Sequence, residues 1–553
     1  MAPRSSGEFQ TSLCILLERE KVPCSRKESS FLEVLPKGRN IFTFTRPHIQ
    51  VMGMVRLNDL LPPIGVKEIH GSTELSVEGI TYDSRQVKPD YIFVAISGYT
   101  EDGNYYIPQA LEAGASVVIS SKRIEKLTRP SKWGGSATQI VMENPRKALA
   151  KLATIFYNYP SDKLNIIGIT GTNGKTTVSY LTEAIFKENG AKVGVLGTIA
   201  YRLGEKILPA PITTPQSSDL QQILRKLVDE KFTTVVMEVS SHALSLDRVE
   251  GCEFDSAIFT NLSREHLDFH KSMEEYLEAK IRLFFIMGKD ARKEREKLAI
   301  LNLDDPSTEK IIQSTKAKII TYGIEKKADV VAKNIKLNLG KTTFTLQSPR
   351  GEVKISLPLI GKYNVYNALA ASTVALGQGI SLDIIKRGLG KVSFIPGRFE
   401  RIDCGQPFTV IVDYAHTDEA LRNLLHACGE LKPRRIITIF GCGGDRDRGK
   451  RPLMGEVAIA LSDYVLVTSD NPRSEDPERI ALDIEVGIKR KGKNNYQTII
   501  DRFQAIEKAL SMAEKGDLVV IAGKGHEDYQ LFKDRRIHFD DREVARKILS
   551  RRG

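Results

Sequence analysis

An α/β fold of several parallel-sheet units is predicted by three features of this 553-residue chain. Short apolar runs of about four to six residues alternate with helix-like stretches from about residue 55 onward, the pattern of buried parallel strands between covering helices. One run, Leu164-Asn-Ile-Ile, leads into Gly168-Ile-Thr-Gly-Thr-Asn-Gly-Lys-Thr-Thr177 and then a helix-like stretch, so a strand delivers a glycine-rich turn to a helix N-terminus. The length exceeds what one core supports, and about 150 residues per domain implies three or four.

Residues 1–53 show no clear periodicity and are rich in Ser, Arg and Lys. They read as an N-terminal extension of unknown role. A secretory signal does not fit, because an apolar core with a small-residue cleavage site is missing, and five acidic residues argue against a transit peptide. A mis-assigned start codon explains the segment as well as a genuine extension does. Met54-Val-Arg-Leu-Asn-Asp-Leu-Leu then looks like a domain start.

Across 54–160, Gly79-Ile-Thr-Tyr and Tyr91-Ile-Phe-Val-Ala-Ile read as strands and Ile107 to Ala113 as a helix, giving a small α/β domain. Across 161–394 the strands are the one before the glycine-rich turn, Val193-Gly-Val-Leu-Gly, Thr233-Thr-Val-Val-Met-Glu238, Ala257-Ile-Phe-Thr and Leu298-Ala-Ile-Leu-Asn302, a mostly parallel sheet with both faces covered. A third unit, 395–553, begins at Pro396-Gly397, with strands at Phe408-Thr-Val-Ile-Val, Arg435-Ile-Ile-Thr-Ile-Phe, Tyr464-Val-Leu-Val-Thr and Leu518-Val-Val-Ile-Ala.

Composition excludes several function classes. With 41% hydrophobic and 27% charged residues the chain reads as globular, and its apolar runs fall short of the roughly 18 residues a membrane span needs. Six cysteines, at 14, 24, 252, 404, 428 and 442, lack CxxC spacing, which argues against zinc or a disulfide framework and fits a reducing cytoplasm. The net charge of +12 comes from Lys and Arg mixed with acids. Even the densest run, Lys289 to Lys297, contains Asp290, Glu294 and Glu296, so nucleic acid is not an expected partner, while anionic small molecules are.

In the glycine-rich turn, Gly171 and Gly174 let successive N–H groups face phosphate oxygens, and the helix dipole adds partial positive charge. Lys175 would reach the outer phosphates and the Thr176 hydroxyl would hold Mg²⁺. Ile169 stands where the usual P-loop has its first glycine, which points away from ordinary kinases and GTPases. Glu238 ends a strand where an open parallel sheet faces its ligand, and so reads as a metal ligand or as a strand-end acid. Asn261-Leu-Ser-Arg-Glu-His-Leu-Asp-Phe-His270 holds two histidines and two acids, and a helix cap fits it as well as a metal site does. Lys280, on an amphipathic helix, has the intrinsic signal of a solvated residue.

Three charged loops follow strands of the third unit: Gly441 to Lys450, Asp470-Asn-Pro-Arg-Ser-Glu-Asp-Pro477 and Gly523-Lys-Gly-His-Glu-Asp-Tyr-Gln530. Loops after successive strands of a doubly wound sheet converge on one edge. Arg446 and Arg473 offer forks for carboxylates and Glu527 an acceptor for an ammonium group, a set that suits a zwitterionic amino acid.

These residues carry a resemblance. GTNGKTT (171–177), MEVSSHAL (237–244), NLSREHLDFH (261–270), GKYNVYNALAA (361–371), PGRFER (396–401), VDYAHT (412–417) and GKGHEDYQ (523–530) resemble, in order and over nearly all of 55–553, the Mur ligase family of ATP-dependent amide-forming enzymes of peptidoglycan synthesis. The departures are residues 1–53 and Asp418, where many relatives have proline. The resemblance implies three domains: a UDP-sugar-binding one (54–160), a central P-loop ATPase-like parallel sheet (161–394) and a C-terminal Rossmann-like amino-acid-binding domain (395–553).

It also implies roles. Gly171, Thr172, Asn173, Gly174, Lys175, Thr176 and Thr177 would bind ATP phosphates, and Asn364, Asn367, Arg398 and Asp413 the adenosine. Thr176, Glu238, His266 and Lys280 would hold Mg²⁺, Lys280 as a carbamate formed with CO₂. Ser84, Thr213, Thr214, Ser240 and Arg248 would hold the UDP-sugar peptide, and Arg446, Asp470, Asn471, Pro472, Arg473, Gly523 and Glu527 the amino acid. EVSSHAL together with DNPR (470–473) resembles members that join meso-diaminopimelate to the D-glutamate of UDP-N-acetylmuramoyl-L-alanyl-D-glutamate through an acyl phosphate. Lys175, Lys280, His266 and His416 are the catalytic candidates, His416 near the γ-phosphate, and either histidine is a candidate base for the attacking amine. A monomeric cytoplasmic enzyme without membrane insertion is expected. The alternatives are a lysine-adding relative, a folylpolyglutamate synthetase, and a non-catalytic protein of this fold that binds nucleotide or nucleic acid.

Overall fold

The computed structural model describes residues 54–61, 65–98, 101–287, 292–338 and 340–551. The expected N-terminal extension, 1–53, lies outside the described residues. The chain is α/β, with three principal sheets that follow one another in sequence.

The first sheet orders its strands Glu68–His70, Thr138–Val141, Val117–Ser120, Tyr91–Val94, Gly79–Thr81, parallel except at the Glu68–His70 edge. Successive side chains of a strand point to opposite faces. Ile92 and Val94 therefore pack with Leu149 and Leu152 of the helix Pro145–Phe156, while Phe93 packs on the other face with Ile107 and Leu111 of Ile107–Glu112.

The second sheet has eleven strands. Its parallel body runs Val193–Leu196, Thr234–Glu238, Asn165–Thr170, Ser256–Phe259, Leu298–Asn302, Lys318–Gly323, Val330–Asn338. Ile167, Ile169, Val236 and Ile258 bury one face under the helices Lys175–Glu188 and Lys362–Gly377; Ile166, Val235, Met237 and Phe259 bury the other under Ser217–Asp229 and Met273–Ile286. Both edges are antiparallel, a feature missing from the sequence expectation: Ala200–Leu203 with Lys206–Pro209 on one side, Lys341–Ser348 with Gly351–Leu357 on the other. Antiparallel strands of this kind bury one face only. In Lys341–Ser348 only Thr342, Phe344 and Leu346 are buried, so the segment alternates and shows no apolar run.

The third sheet is ordered Glu400–Ile402, Thr409–Asp413, Leu518–Ala522, Ile436–Phe440, Tyr464–Val467, Tyr496–Thr498, with only the first strand antiparallel. The strands feeding the three charged loops, Leu518–Ala522, Ile436–Phe440 and Tyr464–Val467, are adjacent and parallel. Their loops therefore leave the same edge.

Among the described residues no helix is long and apolar enough to cross a membrane.

Candidate active site

The glycine-rich turn is built tightly. Gly171 (φ 144°) and Gly174 (φ 89°) lie in the region that side chains avoid, and a Cβ would come within 1.9 Å of Thr260 Oγ1 and 2.4 Å of Asn367 Oδ1, respectively. Asn261 Oδ1 accepts from the Asn173 amide at 2.9 Å and Thr260 Oγ1 donates to the Asn173 carbonyl at 2.7 Å, tying the turn to the next strand's end. The Lys175 ammonium folds back on the Gly171 and Thr172 carbonyls, both at 2.8 Å, and burial pulls its pKa down.

Thr176, at the start of the helix, donates to Glu238 Oε2 at 3.1 Å, and Thr198 Oγ1 donates to the same oxygen at 2.8 Å. Glu238 is 1% exposed at its strand end. Two hydroxyls thus meet at one carboxylate oxygen, and oxygen is the ligand type a hard divalent cation takes. Thr198, which sequence reasoning missed, reaches Glu238 because it lies just past the strand Val193–Leu196, the parallel neighbour of the Glu238 strand.

The segment 261–270 is a loop, and the helix after it, Met273–Ile286, is capped by Ser272, whose hydroxyl accepts from the Glu275 amide at 3.2 Å. This corrects the helix-cap reading. His266 sits in the left-handed region at φ 57°, edge-on to His242 with ring centroids 4.7 Å apart. Burial drives its pKa to about 3 despite the neighbouring Glu265, so the ring is neutral.

Lys280 corrects the solvated reading of its helix. It is 1% exposed, its ammonium lies 4.2 Å from the centre of the Tyr276 ring, and burial, with Lys175 adding repulsion, pushes its pKa well below the usual lysine value. It has no carboxylate partner among the described residues.

His416 Nδ1 lies 2.8 Å from the Tyr414 carbonyl and Nε2 lies 2.8 Å from Glu265 Oε1. The ring is thus held between a backbone carbonyl and a carboxylate. Burial raises the Glu265 pKa, but the hydrogen bond to His416 and the charge of Lys175 hold the carboxyl well below its ordinary range. Glu265 was missed in the sequence, although it adjoins His266 within the same motif.

A cavity of about 870 Å³ is lined among others by Lys175, Glu238, His266, Asn367, Arg398 and His416, while Lys280 is not in its lining. Arg398 lies over the Tyr414 ring at 4.5 Å, with Nη2 3.4 Å from Thr176 Oγ1 and a buried Nε that has no partner. Asp413 accepts from the Phe399 and Ala415 amides at 2.6 and 2.8 Å, and Asn367 donates to Asn364 at 3.1 Å. Thr213 and Ser240 line the same cavity. Thr214 and Arg248 adjoin it, since Thr214 Oγ1 donates to the Glu238 carbonyl at 2.8 Å and Arg248 Nη1 to the Thr214 carbonyl at 3.2 Å. Ser84 lies away from that cavity, in the first sheet's domain, and donates to Gln109 at 2.8 Å.

The three charged loops do meet. Asn471 Nδ2 donates to Glu527 Oε2 at 2.8 Å, Gly444 N to the Asn471 carbonyl at 2.9 Å, and Arg473 Nη1 to the Gly444 carbonyl at 2.7 Å. A Cβ on Gly523 would lie 2.7 Å from Asp470 Oδ2. Arg473, half-buried, has φ 53°, while Arg446 caps its own turn by donating to the Asp445 carbonyl at 3.0 Å. Lys524, fully buried and also missed, pairs with Glu527 at 3.1 Å.

His526, in the last loop, supplies a pH expectation. Burial, then Arg398 and Arg542, drive its pKa to about 3. The unfolded chain therefore binds a proton that the folded chain refuses between about pH 6.5 and 3, and stability falls as pH drops through that window. The thermal midpoint should fall more between pH 6.5 and 4.5 for the wild type than for His526→Asn, as followed by circular dichroism. Equal shifts would contradict it.

Three family models cover most of the chain: Mur ligase family, catalytic domain, over 76–157; Mur ligase middle domain over 169–375; and Mur ligase, glutamate ligase domain, over 397–525. The UDP-N-acetylmuramoyl-L-alanyl-D-glutamate--2,6-diaminopimelate ligase of Caldanaerobacter subterraneus is 46% identical over 497 residues, 90% of this chain and 99% of that protein. The protein of the same name from Geobacillus thermodenitrificans is 43% identical over 498 residues, 90% of this chain and 100% of its own length. A solved structure of a ligase of that name superposes with a TM-score of 0.63 at 33% identity, covering 90% of this chain and 99% of its own.

Proposed function

The chain belongs to the Mur ligase family, and on that premise we propose that it joins meso-diaminopimelate to the D-glutamate carboxylate of UDP-N-acetylmuramoyl-L-alanyl-D-glutamate, converting ATP to ADP and phosphate. The observation that carries this reading is the meeting of the Asp470–Arg473 turn with Glu527 beside the Gly444 loop. Together they offer a guanidinium for one end of a diamino diacid and carboxylates for an ammonium group.

A carboxylate is a poor electrophile until it takes the γ-phosphoryl group of ATP as an acyl phosphate. In that step Lys175 exchanges its two loop carbonyls for phosphate oxygens, and the unpartnered Arg398 Nε supplies further positive charge. The diaminopimelate amine then attacks the acyl carbon, and the tetrahedral adduct collapses to amide and phosphate. Thr213, Thr214, Ser240 and Arg248 hold the UDP-sugar peptide next to Glu238, and Ser84 contributes from the first domain. Asn364, Asn367 and Asp413 frame the nucleotide. Arg446, Asp470, Asn471, Pro472, Arg473, Gly523 and Glu527 orient the amino acid.

The oxygens of Thr176 and Glu238 and the neutral His266 fit Mg²⁺, and these residues, with Lys280 as a carbamate, would hold it. Bound there, Mg²⁺ neutralises charge between donor and acceptor. Lys280 fits carbamylation, because CO₂ adds to a neutral amine and burial favours that form.

The test is incubation with ATP, Mg²⁺, the UDP-muramoyl dipeptide and each of meso-diaminopimelate and L-lysine, with mass spectrometry of the nucleotide product. The diaminopimelate adduct is expected to dominate. A lysine adduct of equal yield would reject the substrate assignment.

A further inference from the structure

Arg473 does not set its own aim. Its backbone is in the left-handed region, its amide donates to the Leu531 carbonyl at 2.9 Å, and its Nη1 donates to Gly444 at 2.7 Å. The direction of the guanidinium therefore depends on where the Gly443–Asp445 turn sits.

That turn is laced to the Asn471–Glu475 turn. Asp445 N donates to Glu475 Oε1 at 2.6 Å, Ser474 N donates to Asp445 Oδ2 at 3.1 Å, and Glu475 N donates to the Pro472 carbonyl at 3.0 Å. The fit is close: a Cβ on Gly444 would lie 1.9 Å from the Pro472 carbonyl oxygen, and one on Gly443 would lie 2.9 Å from Arg473 Nη1. Beneath the lacing is Arg451, 1% exposed in the first turn of the helix Lys450–Leu461. It holds Glu475 in a fork, Nη2 to Oε1 at 2.8 Å and Nη1 to Oε2 at 3.1 Å, and reaches Asp483 at 2.9 Å. Arg448 adds a contact to Glu475 at 3.0 Å from the solvent side. Neither Arg451 nor Glu475 lines the nucleotide cavity.

We propose that the Arg451–Glu475 pair is a positioning device that fixes the Arg473 guanidinium, and through it the choice between diaminopimelate and lysine. The inference rests on the reading of Arg473 given above. A forked, charge-assisted pair holds a turn more rigidly than neutral hydrogen bonds do, and a site that must read one carboxylate needs its partner held within a fraction of an ångström. The Arg473 hydrogen bond to a backbone carbonyl of that turn carries the positioning across.

The experiment uses the full-length enzyme with Glu475→Gln, Arg451→Lys and, in parallel, Arg473→Met, measuring steady-state constants for diaminopimelate, L-lysine, ATP and the UDP dipeptide. For Glu475→Gln the KM for diaminopimelate is expected to rise about 10-fold, the loss of one charge-assisted contact, with ATP and dipeptide KM within about twofold of wild type. Efficiency with lysine should stay flat, so discrimination narrows. Arg451→Lys keeps the buried charge but loses the fork, and should move the same constants by less. If the Glu475 and Arg451 variants keep wild-type discrimination while Arg473→Met loses it, the positioning role is wrong and the reading of Arg473 stands. If Arg473→Met also discriminates normally, that reading itself fails. A uniform rise in all KM values, or failure of both clasp variants to fold, would make the pair merely structural and overturn the proposal.

Discussion

Replacing Lys280 by alanine is expected to lower turnover by on the order of 10²- to 10³-fold, the scale on which a preorganised electrostatic group contributes to a reaction that builds charge. The geometry makes this more than a packing effect. The ammonium is buried, lies over Tyr276 and lacks a carboxylate partner among the described residues, so the position strongly disfavours a cation. A lysine kept there as a simple cation would carry a cost that the charge of Glu265 offsets only in part. Kept as a neutral amine, it would add CO₂, lose a proton and become the anion that a metal site needs. Alanine leaves room for a small anion, so high bicarbonate should restore part of the activity. Wild-type enzyme in ¹³C-labelled bicarbonate should show a carbamate carbon resonance that the variant lacks. Full activity of Lys280→Ala without added bicarbonate, or a missing resonance in the wild type, would reject the role.

Arg473→Met is expected to cost less in absolute rate but to change what the enzyme accepts. Truncating one member of a buried charge pair costs about 2 to 5 kcal/mol. Arg473 is half-buried, so the lower end applies, and about 2 kcal/mol corresponds to roughly a 30-fold loss in kcat/KM for diaminopimelate. L-lysine has no distal carboxylate, so its efficiency should be unchanged or should rise as an unpaired guanidinium is removed. Steady-state assays with both amino acids check this. A parallel fall for both would mean that Arg473 supports the loop without reading the substrate.

Much of this was legible in the sequence, for reasons specific to each element. Fully buried parallel strands leave continuous apolar runs, so Thr234–Glu238, Leu298–Asn302 and Leu518–Ala522 fall within a residue of where the sequence put them. The glycine-rich turn announces itself because two of its positions exclude a Cβ. The antiparallel edges did not show, since Lys341–Ser348 buries alternate residues of a Thr- and Lys-containing stretch. Lys280 was opaque for another reason: whether a helical lysine faces water is decided by the loop 261–270 and the segment around His242 packing against its helix, and one chain's periodicity does not report that. Thr198, Glu265, Lys524 and Glu475 became visible only through partners distant in sequence, namely Glu238, His416, Asn471 and Arg451.

The central claim, that the loops around Arg473 choose the amino acid, is tested most directly by a crystal structure with meso-diaminopimelate bound. The account predicts the distal carboxylate against the Arg473 guanidinium and an ammonium group beside Glu527. Diaminopimelate lodged elsewhere, or bound with Arg473 facing away from both carboxylates, would contradict it.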